Sequence, residues 1–561
     1  MRNNTLTLCL ACLVWSGTTA IVSAEPTSQP ASTDWPQWRG PNRDGVAPAG
    51  PKLLDSWPAS GPKLLWKSTE KIPSGREGGC GSLVVANGNA YLFAHFNKQT
   101  SKFCISTEDL KAWGWSADMP EDMAKKVNEV HTPLRQKIWD RNLTEDEWTN
   151  TWKSLSATLT PEQVKTFQPL IEARFHKGFQ FYGQFLRELG QLADKEFDTY
   201  GAMAGAFKHT DDAGKSAYYD LFHPHNSDGA AVKSLLMAKC FAWTDTIYCF
   251  DAVTGKTLWK KELPGTAASA ATYYFAASCT PTIAEGKCFV IGSAGLYCLD
   301  VKDGEVVWQN KAGYSNSSPL VQDGVVYVMA PKASAFDAKT GKQLWTNPKC
   351  EACSVSLVMW TSGGKKYLIG TSGIDVFCVN AQTGETAWST FLCKLYGGGN
   401  DSTPVIVGDV LVMRANAALT AYKLTPEKAV PIWSADYGDR GSSPLVYKDH
   451  IYTFGKGKEG YGFYCLDLKT GAMIWKKELV YNETYSPVIA DGKVICHYGT
   501  SDRWDGPGPA TIMFRATAEK FEQLGVFNDT PAEFVTPTIA GGRMFLRLKD
   551  TVACYDLRAE E

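Results

Sequence analysis

One phrase is written five times along this chain: YCFDAVTGKTLW at 248–259, YCLDVKDGEVVW at 297–308, SAFDAKTGKQLW at 334–345, FCVNAQTGETAW at 377–388 and YCLDLKTGAMIW at 464–475. A looser copy, TAYKLTPEKAVPIW, ends at Trp433. A second shared phrase precedes each copy or follows the last: SCTPTIAEGKCFVIG at 278, SSPLVQDGVVYVMA at 317, STPVIVGDVLVMR at 402, SSPLVYKDHIYTFG at 442, YSPVIADGKVICHYG at 485 and VTPTIAGGRMFLR at 535. Joined, they spell four short strands. A Ser/Thr-Pro entry opens strand A, a Gly or Asp turn leads to strand B, strand C ends at Asp or Asn, and a Thr-Gly turn enters strand D, which ends at Trp. Alternating apolar residues with turn signals at this spacing specify antiparallel β-structure.

The phrase has a local physical meaning. Asp251, Asp300, Asp337, Asn380 and Asp467 can accept from backbone N–H groups of the next turn, where Gly255, Gly304, Gly341, Gly384 and Gly471 supply positive φ. The closing Trp offers a large flat face to the next unit. A single four-stranded sheet cannot cover both its faces, so such units stack radially. Strand A starts near 82, 279, 317, 355, 402, 442, 485 and 535 predict an all-β, eight-bladed propeller. The last copy stops on strand C at Asp556, so GPKLLWKS at 61–68 is expected to return as its fourth strand, ending in Trp66.

The repeated Asp-x-x-Thr-Gly-x-x-x-Trp resembles the tryptophan-docking motif of quinoprotein alcohol dehydrogenases and of the wider PQQ-like repeat family. The opening WPQWRGPNRDG and the later WPASGPKLLWK resemble the start of secreted bacterial PQQ-binding-like propellers. The enzymes of that group imply pyrroloquinoline quinone (PQQ) and Ca²⁺ on the channel axis, held between a tryptophan and two adjacent, disulfide-linked cysteines. This sequence has no Cys-Cys pair, and Cys350-x-x-Cys353 is followed by Ser354 rather than the His of a covalent haem site. Non-catalytic members of the family imply recognition of partner proteins.

Other features bound the reading. Residues 1–24 have one basic residue, Arg2, an apolar run from Leu6 to Trp15 and small residues before Glu25, the pattern of a secretory signal and a run too short to span a bilayer. The expected organisation is a signal peptide at 1–24, an N-terminal strap at 25–60, the closing strand and start of blade 1 at 61–97, a mainly helical insertion at 98–238 and the rest of the propeller at 239–561. A net charge of −2 with no basic stripe gives no footprint for nucleic acid. Cys249, Cys298, Cys378, Cys465 and Cys554 share one strand C position, and Cys240, Cys288 and Cys496 are expected on strand B, which favours buried small hydrophobes over cross-links. Cys350 and Cys353 could close a tight disulfide. His223, His225 and Asp228 are the one closely spaced metal-ligand pattern, without a third ligand. In the insertion, Thr144 to Glu147 and Thr160 to Gln163 fit capping boxes. Val164, Phe167, Leu170, Ile171, Phe175, Tyr182, Phe185, Leu186 and Leu189 then run at helical spacing, expected to pack against the propeller.

Strand order assigns faces. If strand A descends beside the channel, the A–B and C–D turns share the bottom, while the B–C and D–A loops share the top with the insertion. Arg76, Glu77, Asn316, Asn400, Asp401, Arg440, Glu483 and Glu533 stand in D–A loops, and Trp504 in a long B–C loop. These are the candidate ligand-binding residues. Two function classes follow: a binding or scaffold propeller for a protein, glycan or small ligand, and a quinoprotein oxidoreductase with a non-standard pocket, using Asp401 or Glu483 for acid–base work. A hydrolase using those carboxylates is a third. Trp35 and Trp38 in DWPQWRGPNRDG, with no period to bury them, are expected to pin the strap to the outside of the last and first blades.

Overall fold

The computed structural model describes residues 33–75, 78–139, 143–176, 183–207, 227–267, 278–351, 355–372, 375–391, 402–415, 418–437, 442–457, 460–479, 483–499, 510–532 and 534–560. Eight antiparallel sheets form an eight-bladed β-propeller. Blade 1 consists of Val84–Ala86, Asn89–Gln99, Phe241–Asp251 and Thr257–Pro264, and blade 2 of Thr282–Ala284, Lys287–Gly292, Gly295–Asp300 and Val306–Asn310. Blades 3 to 6 begin at Leu320, Val358, Val405 and Leu445, and blade 7 carries strands Val488–Ala490, Lys493–Gly499, Ala510–Arg515 and Gln523–Phe527. Blade 8 has Thr538–Ala540, Arg543–Arg547 and Val552–Asp556, completed by Lys63–Lys67, whose Trp66 lies opposite Cys554. The ring closes with the N-terminal strand expected.

Two repeated residues weld the ring. At the inner edge, the Ser/Thr of the strand A entry links neighbouring blades at seven of the eight junctions, its hydroxyl accepting from the backbone N–H of the equivalent residue next door. Ser82 N donates to Thr280 Oγ1 (3.0 Å), Thr280 N to Ser318 Oγ (3.0 Å), Ser318 N to Ser356 Oγ (2.9 Å) and Ser356 N to Thr403 Oγ1 (3.2 Å). Thr403 N then donates to Ser443 Oγ (3.0 Å), Ser443 N to Ser486 Oγ (3.0 Å), and Thr536 N to Ser82 Oγ (2.8 Å). The Ser/Thr-Pro phrase is thus a hydrogen-bonded belt around the channel. Each of these backbone donors would otherwise be buried unpaired.

At the outer edge, each docking Trp reaches the turn between strands C and D of the next blade. Trp259 Nε1 donates to Val301 O (2.9 Å), Trp308 Nε1 to Ala338 O (2.9 Å) and Trp433 Nε1 to Leu468 O (2.9 Å). The ring lies so close to the turn glycine that a Cβ on Gly341 (φ +70°) would come within 2.6 Å of Trp308. Blade 7 has Gly525 where the other blades carry that Trp, and Trp57 from the N-terminal segment fills the space, its Cβ 2.6 Å from where a Gly525 Cβ would stand. Trp57 N bonds Leu524 O at 2.8 Å.

The first part of the strap, residues 35–47, does not run along the outside. Trp35 exchanges two backbone bonds with Val85 of blade 1 (2.8 and 2.9 Å), and Pro36 O accepts from Ile283 N of blade 2 (2.8 Å). Arg43 donates to Ser318 O and Pro319 O ahead of blade 3, Arg39 donates to Pro444 O ahead of blade 6, and Gly45 and Ala47 bond Ile489 of blade 7. From blade 2 to blade 6 the strap crosses the ring at the end bearing the A–B turns. Trp35 is buried there among strand A side chains while Trp38 stays partly exposed. The free inner edges of strands A offer backbone partners that the outer rim does not, which is why the clasp sits inside.

Between strands B and C of blade 1, seven helices are described: Thr107–Ala112, Glu121–Trp139, Glu145–Ser156, Pro161–His176, Gly183–Gly190, Tyr200–Ala206 and Ser227–Cys240. Both capping boxes form, at Thr144/Glu147 and Thr160/Gln163. The apolar stripe packs within the insertion rather than on the propeller. Phe167, Ile171 and Phe175 meet Met123, Val127, Trp148 and Leu155, while Phe185, Leu186 and Leu189 meet Leu110, Trp113, Met203 and Leu236. The helices supply one another's apolar faces, so the subdomain has its own cores. Cys240 ends the last helix instead of standing on strand B.

Candidate functional site

The two ends of the channel differ. At the bottom, the strap places the guanidinium groups of Arg39 and Arg43 fully inside the ring. Arg39 and Arg43 sit at φ +61° and +59° in a tight turn, which aims their side chains in opposite directions across the axis. Burial without enough countercharge lowers them, Arg39 to about 10 and Arg43 to about 9, so both stay cationic at neutral pH. Asp44, itself raised by burial, partly offsets Arg39. Both are fastened to carbonyl oxygens of blades on opposite sides.

At the top, strands B and C of blade 1 are unusually long, pairing out to Gln99 opposite Phe241, and form the stalk of the insertion. At its base His95 Nδ1 lies 2.5 Å from Asp245 Oδ1, and the His95 ring stacks on Trp243 (5.0 Å, 18°). Asp245 Oδ2 accepts from the Ser293 backbone N (2.6 Å) and Oγ (3.0 Å) of blade 2. Both side chains are fully buried, and the Ser293 bonds to Asp245 tie the stalk to blade 2.

On the other side of the mouth the strand B position two residues past the strand centre is polar in blades 7 and 8, as it is at Arg414 in blade 5. The same position holds Phe93 in blade 1 and Phe454 in blade 6, and holds His497 and Arg547 in blades 7 and 8. His497 Nδ1 meets Thr511 Oγ1 at 2.8 Å, and burial pushes its pKa down to about 3, so the ring is neutral. Arg547 bonds four carbonyls, of Pro73, Gly78, Gly81 and Phe93, and so bolts blade 8 to blade 1 beneath the first D–A loop.

Of the residues singled out from sequence, Asn316 is fully placed. Its Oδ1 accepts from Ser278 N (3.2 Å) and from the Tyr314 hydroxyl (2.5 Å), extending the inner belt upward and fixing the amide. The backbone of Glu483 forms a short strand with Thr484 that pairs Gly499 and Tyr498. Arg76, Glu77, Asn400, Asp401, Arg440, Trp504 and Glu533 lie outside the described residues, as do His223, His225 and Cys353; Asp228 is described only in its backbone, within the helix that begins at Ser227. Sequence reasoning missed the His95–Asp245 pair, Arg39, Arg43, His497 and Arg547. For His497 and Arg547 the available signal was a charged or imidazole side chain at a position that is apolar in blades 1, 2, 3 and 6, where Phe93, Ile291, Met329 and Phe454 stand.

Residues 243–477 match a family model described as outer membrane protein assembly factor BamB. The repeats are PQQ-like propeller repeats. Outer membrane protein assembly factor BamB of Yersinia pestis is 25% identical over 267 residues, 44% of this chain and 66% of that protein. Tetrathionate hydrolase of Acidithiobacillus ferrooxidans is 27% identical over 30% of this chain and 36% of its own length. Quinoprotein ethanol dehydrogenase of Pseudomonas aeruginosa is 34% identical over 106 residues, 17% of this chain and 16% of its own length. The chain thus spans less than two thirds of each of these relatives. Among solved structures, BamB from Moraxella catarrhalis aligns with a TM-score of 0.44 at 15% identity, covering 56% of this chain and 90% of that one.

Among the described residues no three His, Cys, Asp or Glu side chains converge as a cation site. The strand C cysteines are each buried in their own blade, with free thiols that burial pushes up to about 12 in Cys249, Cys298, Cys378, Cys465 and Cys554. Cys350 is likewise a buried free thiol. No helix among the described residues is long and apolar enough to cross a membrane.

Proposed function

We propose that this chain is a secreted or periplasmic PQQ-like propeller that binds a protein, glycan or small ligand at the funnel face bearing the helical insertion. The observation that supports this reading is the strap. It occupies the bottom of the channel from blade 2 to blade 6, with Trp35 and Arg39 buried in it. A ligand therefore enters from the top, where the D–A loops carry Arg76, Glu77, Asn316, Asn400, Asp401, Arg440, Glu483 and Glu533, with Trp504 in a B–C loop beside them. A concave mouth with converging polar groups and a fixed scaffold is the usual form of a binding site.

The local identity with a quinoprotein ethanol dehydrogenase favours a second reading, a PQQ- and Ca²⁺-dependent oxidoreductase. One experiment separates the two. The purified protein is given PQQ with Ca²⁺ and followed by quinone absorbance and dye reduction over alcohols and sugars, in parallel with glycan and peptide arrays. Array binding without turnover is expected, lost in the Arg440→Ala, Glu483→Ala double variant while the melting curve is kept. Tight quinone uptake with turnover would establish the oxidoreductase instead.

A further inference from the structure

Blade 8 alone among the eight sheets takes its strands C and D from distant parts of the chain, Val552–Asp556 and Lys63–Lys67. No C–D turn joins them, and residues 58–62 lead into strand D instead. This junction leaves a cleft of about 460 Å³ at the outer edge of the ring, between the end of blade 7's last strand and the outer strand of blade 8. Its apolar side is rigid. Gly61 N bonds Pro58 O (2.8 Å), and Gly61, at φ +82°, lies so close to Phe527 that a Cβ there would come within 2.7 Å of Phe527 Cγ. Phe527 packs on Tyr555 (5.3 Å, 60°), and Leu64, which pairs with Tyr555 across the sheet, is left 46% exposed.

The polar side is incompletely satisfied. Asp529 Oδ1 accepts from the Lys67 ammonium (3.2 Å), while Asp529 Oδ2 is buried with no hydrogen-bond partner among the described residues. Burial outweighs the nearby ammonium and raises the Asp529 carboxyl above its ordinary value. Lys67 is partly exposed and spends one of its three N–H donors on that contact, and the neighbouring Asn528 amide is exposed. We propose that this cleft, separate from the funnel mouth and independent of the top-face reading, binds a sugar ring. The surroundings select that chemistry. An amine entering here would meet the like charge of Lys67, and a carboxylate that of Asp529. A hydroxyl both donates and accepts, so one hydroxyl completes Asp529 and Lys67 together and a vicinal one reaches Asn528. The C–H face of the ring then lies on the wall of Leu64 and Phe527. A cleft of this size with an apolar wall and a few convergent polar groups is the usual form of a small-molecule site.

The test uses the full protein with glucose, galactose and mannose and with their methyl glycosides, read by saturation-transfer NMR and titration calorimetry. Glycerol, which has vicinal hydroxyls without a ring, and cyclohexanol, a ring with one hydroxyl, are the controls. The wild-type chain binds at least one sugar and neither control. Binding of a methyl glycoside identifies the end of a glycan as the source, binding of free sugar alone identifies a monosaccharide, and either supports the cleft. Asp529→Ala removes both carboxylate oxygens and weakens binding by about tenfold or more. Ser60→Trp, at an exposed position lining the cleft, fills it and abolishes binding with the melting temperature kept, which decides the matter if Asp529→Ala melts lower. No sugar binding by the wild-type chain, equal binding of the controls, or wild-type affinity in Ser60→Trp would each overturn the proposal.

Discussion

His497 shows how one side chain can set the acid limit of the fold. Its folded pKa lies near 3 against an ordinary 6.5, so the unfolded chain binds the extra proton first as pH falls. The stability that the neutral ring contributes is present above pH 6.5 and is lost progressively toward pH 3, on the order of 5 kcal/mol in full. His497→Phe, the residue that stands at this position in blades 1 and 6, should flatten the acid limb of the melting temperature between pH 6.5 and 4. An unchanged limb would show that other groups govern it. The strand C thiols behave in the opposite sense. Pushed up to about 12, Cys249, Cys298, Cys378, Cys465 and Cys554 are protonated at neutral pH and should be alkylated only after unfolding, while the partly exposed Cys104 reacts in the native protein. Peptide mass spectrometry after timed labelling distinguishes them.

At the scale of the element, the repeat was legible because each conserved chemical type in it does one local job: Asp accepts turn N–H groups, Gly admits a ring at van der Waals distance, Trp docks. Asp337 Oδ1, for instance, accepts from both Thr340 N (2.8 Å) and Thr340 Oγ1 (2.6 Å). The Ser/Thr of the strand A entry was legible as a position but not as a belt, because its partner lies one blade away, 38 to 47 residues along the chain from blade 2 to blade 7 and 198 and 454 residues away at blade 1. Trp57 was still less readable. It serves a gap left by Gly525, and a residue's fitness for another element's cavity leaves no periodic trace. Trp57→Ala should cost about 3–5 kcal/mol, as for a buried aromatic truncated to alanine, and Trp35→Ala a similar amount. Trp38→Ala, at a partly exposed ring, should cost under about 1 kcal/mol. Equal losses for Trp35 and Trp38 in denaturant melts would favour the outside clasp over the inside one.

At the scale of the whole molecule, the strap and closing strand make the N-terminal segment part of the ring. The strap was misplaced from sequence because its turn at Arg39 and Arg43 carries two buried charges, which composition reads as surface. In the folded chain those charges find carbonyl oxygens of blades 3 and 6 inside the channel. Most of the mouth stayed unread for the opposite reason: its loops share residue types but no repeat, so polarity alone nominated them. Deleting residues 25–60 should lower the melting temperature markedly, removing the struts between opposite blades, while any ligand affinity at the mouth persists in the fraction that remains folded. The most direct measurement is hydrogen exchange on the full protein with and without a ligand drawn from the arrays. Protection is expected at the top, in segments 314–318, 483–486 and 530–536, with the strap and the A–B turns at 87–88, 285–286 and 323–324 unchanged. Protection concentrated on those turns and on residues 34–47, with the D–A loops unaffected, would contradict it.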